Sequence, residues 1–198
     1  MRRNLKTFLF TAVAASALAP TWLTSTPMAI AGVRPTCTIT GTSGADVLVG
    51  TPHRDVICAF GGNDHIMARG GMDRVIAGPG NDRIQGDKGH DLIKGGAGRD
   101  VVLGGGGNDT VRGGPLRDKI KGNQGRDALG GGSGRDLLLG AANDDVIKGG
   151  AQDDVIRGGD GDDRLNARDG SGGDTVQGMA GTDTCVADTG DDVLGCEM

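Results

Sequence analysis

Apolar side chains return along this chain at a fixed spacing of nine. The series runs Leu48, Ile57, Ile66, Val75, Ile84, Ile93, Val102, Val111, Ile120, Leu129, Leu138, Ile147, Ile156 and Leu165. It slips by two after Asn166, with Ala167 and Arg168 as the expected insertion, and resumes at Val176, Cys185 and Leu194. Two residues before each stands an aspartate. These are Asp46, Asp55, Asp64, Asp73, Asp82, Asp91, Asp100, Asp109, Asp118, Asp127, Asp136, Asp145, Asp154, Asp163, Asp174, Asp183 and Asp192. Two residues before each aspartate is usually Gly, with His53, Leu116, Asn143 and Gln152 as exceptions. The positions flanking the apolar residue accept cations, among them Arg74, Arg83, Lys94, Arg112, Lys119, Lys121, Lys148 and Arg157.

This pattern predicts a six-residue Gly-rich turn that ends in Asp, followed by a three-residue strand. Side chains alternate faces along a strand, so the middle residue points inward and its neighbours outward. The inward residues are mostly β-branched or Leu, which suits a strand. A fixed short period means stacked units, each closed by its neighbours. Two units make one 18-residue coil. The predicted fold is all-β: a parallel β-roll (β-solenoid) of tandem nine-residue repeats, two repeats per coil, with two parallel sheets facing each other.

Composition sharpens this picture. The 198 residues include 40 Gly, three Phe, one Trp and no Tyr, and of 26 acids only Glu197 is not Asp. Gly-rich polar chains often stay disordered, but seventeen periodic aspartates argue for order. An ordinary core is missing, because each repeat buries one aliphatic side chain. Glycine also loses more freedom on ordering than any other residue. The turns therefore need stabilisation from outside the hydrophobic stripe.

The turn sequences carry a resemblance. Gly95-Gly96-Ala97-Gly98-Arg99-Asp100, Gly104-Gly105-Gly106-Gly107-Asn108-Asp109, Gly131-Gly132-Ser133-Gly134-Arg135-Asp136 and Gly158-Gly159-Asp160-Gly161-Asp162-Asp163 fit G-G-x-G-x-D. With the apolar position added, this resembles the calcium-binding nonapeptide of RTX, or haemolysin-type, repeat proteins. It extends over residues 41–195. The resemblance implies that multiple Ca²⁺ ions sit between a turn and the turn two repeats later, held by backbone carbonyls and by both aspartates. Asp100 would share a site with Asp118, and Asp109 with Asp127; all seventeen aspartates become candidate ligands. Calcium takes six to eight oxygen ligands and accepts mixed carbonyls and carboxylates. The competing reading is a metal-free solenoid in which Asp closes Asx-turns, yet no Asn or Ser replaces Asp in the series. Repeats without the Gly before Asp are expected to hold weaker sites. Met72, Arg99 and Arg135 are expected to point outward. An EF-hand over Asp160–Asp163 fails, because Ser171 stands where the loop needs Glu.

The ends read differently. Arg2, Arg3 and Lys6 precede an apolar run from Phe8 to Ala19, and small residues at Ala29 and Ala31 suit cleavage after Ala31. Residues 1–31 are therefore expected to be a signal peptide, with only a partial twin-arginine match. Residues 32–198 are expected to be the roll, capped near 32–58 and 185–198. The run is too short to span a bilayer, and no transmembrane segment is expected in the mature chain. Cleavage would remove three cations and no acid, taking the charge from −5 to −8. Cysteines fall in two pairs at the ends. Roughly 40 Å of stacked coils would separate those ends, whereas a disulfide needs Cα atoms within ~7 Å. Local bridges Cys37–Cys58 and Cys185–Cys196 remain, in an oxidising compartment. The terminal segments also resemble stand-alone secreted bacterial calcium-repeat proteins.

The expected function is a secreted monomeric calcium-binding repeat protein that acts as a structural or binding module. The alternative is an extracellular adhesin or surface-coat component. More than four bound calcium ions would turn the charge positive and favour anionic cell-surface polymers. A nucleic-acid partner is not expected. An enzyme is not expected either: His53, His65 and His90 pair with no nucleophile or zinc motif, the GxGxxG-like strings arise from the repeat, and no stretch remains for a catalytic domain.

Overall fold

The computed structural model describes residues 36–197. The leader expected over residues 1–31 lies outside the described residues. The described chain begins with short strands β1 (Ile39–Thr40), β2 (Val47–Val49), β3 (Val56–Cys58) and β4 (His65–Met67). Ten six-residue strands follow: β5 (Arg74–Pro79), β6 (Arg83–Lys88), β7 (Leu92–Ala97), β8 (Val101–Gly106), β9 (Thr110–Pro115), β10 (Lys119–Gln124), β11 (Ala128–Ser133), β12 (Leu137–Ala142), β13 (Val146–Ala151) and β14 (Val155–Asp160). The series closes with β15 (Arg164–Asn166), β16 (Thr175–Ala180), β17 (Thr184–Val186) and β18 (Asp192–Leu194). Odd strands form one nine-stranded sheet and even strands another, and every pairing is parallel. Ile120 lies beside Val102 on one side and Leu138 on the other, so each rung is 18 residues from the next. The predicted parallel β-roll is the fold.

Most strands are twice their expected length. The ladder continues past the apolar residue into the Gly pair, so that Asn123 still pairs with Gly105 and Ala141. The longer alternation creates a second inward position, four residues after each aspartate. Ala59, Ala68, Ala77 and Ala167 occupy it at four rungs and pack into the core, and Gly occupies most of the others. The core is a narrow stripe from Leu48 to Cys185 in which the periodic aliphatics are buried almost completely.

Two sequence expectations need correction near the C-terminus. Ala167 is not inserted. It is a regular core residue, and its N–H donates to the Val186 carbonyl at 2.8 Å. The two extra residues are absorbed in the bend over residues 169–173, outside the ladder. The last rung is also offset by one. Asp192 pairs with Thr175 and Val193 with Val176. Val193 therefore packs on the core, whereas Leu194 is exposed and Asp192 stands on the outer face. The tight turn at Asp188–Asp191 shortens this coil. The shortened end runs on to Glu197, which pairs with Thr184.

Both expected disulfides are present, Cys37–Cys58 and Cys185–Cys196, with Cα separations of 5.9 and 5.7 Å. Each ties a terminal segment to the nearest coil, where the stack otherwise ends in an open sheet edge.

Candidate metal centres

The turns place the periodic aspartates in two files, one along each edge of the roll. Each file is joined by the same hydrogen bond at every step. The Asp100 N–H donates to Asp118 Oδ1 at 2.8 Å, and the Asp118 N–H donates to Asp136 Oδ1 at 2.8 Å. In the other file, Asp109 donates to Asp127 Oδ1 at 2.8 Å and Asp127 to Asp145 Oδ1 at 2.7 Å. The pairs expected to share a site, Asp100 with Asp118 and Asp109 with Asp127, are thus neighbours. One oxygen of each carboxylate is committed to this bond. The second is the chemically informative one.

That second oxygen, Oδ2, is buried without a donor in thirteen aspartates: Asp64, Asp73, Asp82, Asp91, Asp100, Asp109, Asp118, Asp127, Asp136, Asp145, Asp154, Asp163 and Asp183. Its surroundings are oxygen-rich. A methyl group placed on Gly104 would lie 2.5 Å from Asp109 Oδ2 and 2.8 Å from the Gly122 carbonyl oxygen. The same two kinds of oxygen crowd Gly95, Gly113, Gly122, Gly131, Gly140 and Gly158. Glycine there leaves the carboxylate and the carbonyl of the next coil close together, with no hydrogen-bond donor between them. Bringing two acceptors together without a donor is unfavourable in a protein interior. A hard cation between them would resolve it.

Backbone geometry supports the same cradle. Gly two or four residues before Asp takes positive φ, as at Gly96 (121°) and Gly98 (144°). A side chain at either would strike the carbonyl of Gly78 or Gly80 in the preceding coil. Among the described residues, all nine non-Gly residues with positive φ fall on these same two positions. They are Phe60, Arg69, Asp87, Leu116, Asn123, Ala141, Asn143, Gln152 and Met179. Leu116, Asn143 and Gln152 therefore keep the turn despite lacking Gly, whereas His53, Gly44 and Gly172 do not take the positive φ. Met72, Arg99 and Arg135 are exposed, as the sequence predicted.

Burial dominates the electrostatics. It raises Asp91, Asp118, Asp145 and Asp154 to about 7, with added repulsion from carboxylates one coil away and an opposing backbone N–H. Asp82, Asp109, Asp127 and Asp163 rise to about 6, again chiefly through burial. Without a counter-charge these files would hold protons at a pH where free Asp has none.

The file ends differ. Asp46 Oδ2 accepts the Thr42 N–H at 2.6 Å and the Thr42 hydroxyl at 3.1 Å. Asp55 Oδ2 accepts the same pair from Thr51 at 2.7 and 2.9 Å. Burial pushes Asp55 upward, but the Thr51 bonds and the Thr38 hydroxyl outweigh it and hold the carboxyl low. These two carboxylates are satisfied within the protein. At the other end, Asp191 Oδ1 accepts the Gly173 N–H at 3.0 Å and the Asp174 N–H at 3.1 Å, taking the place expected for Asp192. Asp174 Oδ1 accepts the Asp154 N–H at 2.6 Å, so it stays in the file. Thr42 and Thr51 carried a signal in the sequence: Thr occurs four residues before a periodic Asp only in these first two repeats. Asp191 carried none, since Asp144-Asp145, Asp153-Asp154 and Asp162-Asp163 are similar doublets whose second member joins the file.

The donor set suits calcium. Among the described residues no three His, Cys, Asp or Glu side chains converge as a metal cluster. An ion here would draw on one or two carboxylates and complete its shell with carbonyls, a pattern calcium accepts. The histidines stand apart: His90 Nδ1 accepts the Asn108 N–H at 2.6 Å, and His65 lies on an outer strand face.

Compared with known families, the chain matches the RTX calcium-binding nonapeptide repeat (4 copies) over residues 40–75, 67–102, 76–111, 103–138, 139–172 and 166–194. No curated protein matches the chain. The matched segments run through every coil of the roll and contain all the donor-less carboxylates. With its nine-residue period, parallel roll and files of buried aspartate, this chain belongs to the family of RTX calcium-binding nonapeptide repeat proteins.

Proposed function

We propose that this chain is a secreted, non-catalytic module whose folding is completed by calcium between its coils. The observation that carries the proposal is the set of thirteen buried carboxylate oxygens that have no donor, nine of which lie beside the same glycine as a carbonyl of the next coil. Bound calcium would neutralise stacked carboxylates and accept lone pairs from oxygens that otherwise have no partner. Asp64 to Asp163 and Asp183 are the ligands best supported, since Asp46 and Asp55 are satisfied by threonine. Metal binding and folding are then one equilibrium. At extracellular calcium the roll forms; in calcium-poor cytoplasm the chain stays unfolded. The two disulfides support an oxidising compartment. No helix among the described residues is long and apolar enough to cross a membrane.

Circular dichroism at neutral pH with excess calcium and then with excess chelator tests the proposal. The β signal should collapse on chelation and return with calcium, and calorimetry should count several ions per chain. An unchanged spectrum after complete calcium removal would overturn it. A second reading, attachment to anionic surfaces, draws support from the outer sheet faces. From β5 to β14 these carry Arg74, Arg83, Lys94, Arg112, Lys119, Lys121, Lys148 and Arg157 and no carboxylate within the first three residues of any strand.

A further inference from the structure

The residue immediately before each file aspartate forms a column of its own along the edge of the roll. On one edge this column reads Asn63, Asn81, Arg99, Arg117, Arg135 and Asp153. The Asn81 N–H donates to Asn63 Oδ1 at 2.8 Å, and the Arg99 N–H donates to Asn81 Oδ1 at 2.8 Å. Asparagine thus splices one coil to the next. Arginine has no acceptor, so the splice stops: among the described residues the Arg117 and Arg135 N–H groups have no protein acceptor. Three arginines instead follow one another in the column, their backbones at the ~4.8 Å rung spacing. Among the described residues their only ion pair is the long contact from Arg135 to Asp153 at 3.7 Å. The opposite edge manages its arginine differently. There Arg126 receives both the splice from Asn108 at 3.0 Å and a counter-ion in Asp144 at 2.9 Å.

The triple-arginine stretch therefore gives up hydrogen bonds and sets like charges side by side, with no return inside the fold. The adjoining surface is shaped as well as charged. A cleft of about 440 Å³ is lined by all three arginines with Pro115, Leu116 and Ser133. Leu116 is 59% exposed and holds a φ of 74° at a position where Gly is usual. A strained, solvent-facing leucine beside three cations, of which only Arg135 has a long ion pair, is a sign of a binding surface. Pro115 and Ser133 also line a second cleft, of about 430 Å³, between Arg112 and Lys148.

We propose that the Arg99–Arg117–Arg135 strip binds a linear acidic polysaccharide. The planar guanidinium fork matches carboxylate and sulfate oxyanions. The Pro115–Leu116 ledge offers an apolar rest for a sugar ring. Single-file cations at rung spacing suit an extended chain that carries acid groups along its length. Duplex DNA fits less well, since its major groove accepts a helix or a two-stranded ribbon and not the edge of a nine-stranded stack. The strip exists only in the folded roll and so rests on the calcium-dependent folding proposed above.

The test uses the calcium-loaded, disulfide-intact protein, with hyaluronan as the carboxylate probe, chondroitin sulfate as the sulfate probe, and neutral dextran and duplex DNA as comparators. Binding is followed by interferometry and folding by circular dichroism of the same samples. Wild type should bind one or both acidic polysaccharides, weaken with added salt and ignore dextran. The double variant R99N/R117N extends the asparagine splice, so its fold and thermal midpoint should be retained or improved. Its polysaccharide affinity should fall at least ~10-fold. R117K keeps the charge without the fork and should lie between. A folded roll that ignores both polysaccharides, a double variant that binds undiminished, or duplex DNA bound as tightly as hyaluronan would each overturn the strip. A wild-type chain that calcium fails to fold would instead sink the calcium proposal, and the strip with it.

Discussion

At the scale of single residues, the working unit is one carboxylate with two unlike oxygens. Oδ1 of Asp118 accepts the Asp100 N–H and so belongs to the fold, whereas Oδ2 has no partner and is the oxygen offered to the proposed ion. Asp118→Asn separates these roles, because an amide oxygen can still accept the N–H while the amide nitrogen can donate to a nearby carbonyl. Calorimetry should show the variant binding one or two fewer calcium equivalents. The metal-free variant should be more structured than wild-type metal-free protein by circular dichroism. Glycine at positive φ is the other decisive residue. Gly98 has φ of 144°, with the Gly80 carbonyl where a side chain would go. Gly98→Val should lower the stability of the calcium-loaded roll by about 1–3 kcal/mol in urea titration. Leu116→Gly, which relieves the same strain, should raise it by about 1 kcal/mol.

At the scale of strands and turns, stacking buries carboxylates against one another. In the metal-free roll, burial lifts eight of these acids to about 6 or 7. In the unfolded chain Asp titrates near ~3.9. The folded form then binds more protons between those values, so its stability falls as pH rises through the window from about 4 to about 7. Chelated protein should therefore gain β structure when acidified from pH ~7 to ~4.5. Apparent calcium affinity should fall over the same acidification, since protons and calcium compete for the same oxygens. Circular dichroism and calcium titration at stepped pH check both. The sequence made the inward apolar residue legible through its nine-residue spacing from β2 to β17, but not in β18, where Val193 takes the place expected for Leu194. The second inward position was hidden because it is usually Gly, whose lack of a side chain leaves no hydropathy signal.

At the scale of the whole molecule, every coil touches only the coils above and below, and stability accumulates along the stack. Removing one coil, residues 101–118, joins Asp100 to Lys119 in register. The shortened protein should still fold with calcium, bind about two fewer ions, and unfold at lower denaturant in equilibrium titration. The caps limit fraying at each end. Cys185→Ser with Cys196→Ser should cost about 2–4 kcal/mol, and hydrogen exchange should quicken first in β16, β17 and β18.

The sequence alone determined the period, the inward apolar residue of the strands from β2 to β17, two parallel sheets with an 18-residue rung, and the two disulfide pairs. These follow from a pattern that every repeat restates, so local spacing was enough. Only the tertiary structure decided that Thr42 and Thr51 satisfy Asp46 and Asp55, that Ala167 is core and not insertion, and that Asp191 and Val193 take the places expected for Asp192 and Leu194. It also brought Arg99, Arg117 and Arg135 into one column, although they lie 18 residues apart. At the ends a coil lacks one neighbour, so local hydrogen bonds and the terminal disulfide outweigh the repeat register. Along the edges, contacts form between coils, and nothing within a single repeat encodes them.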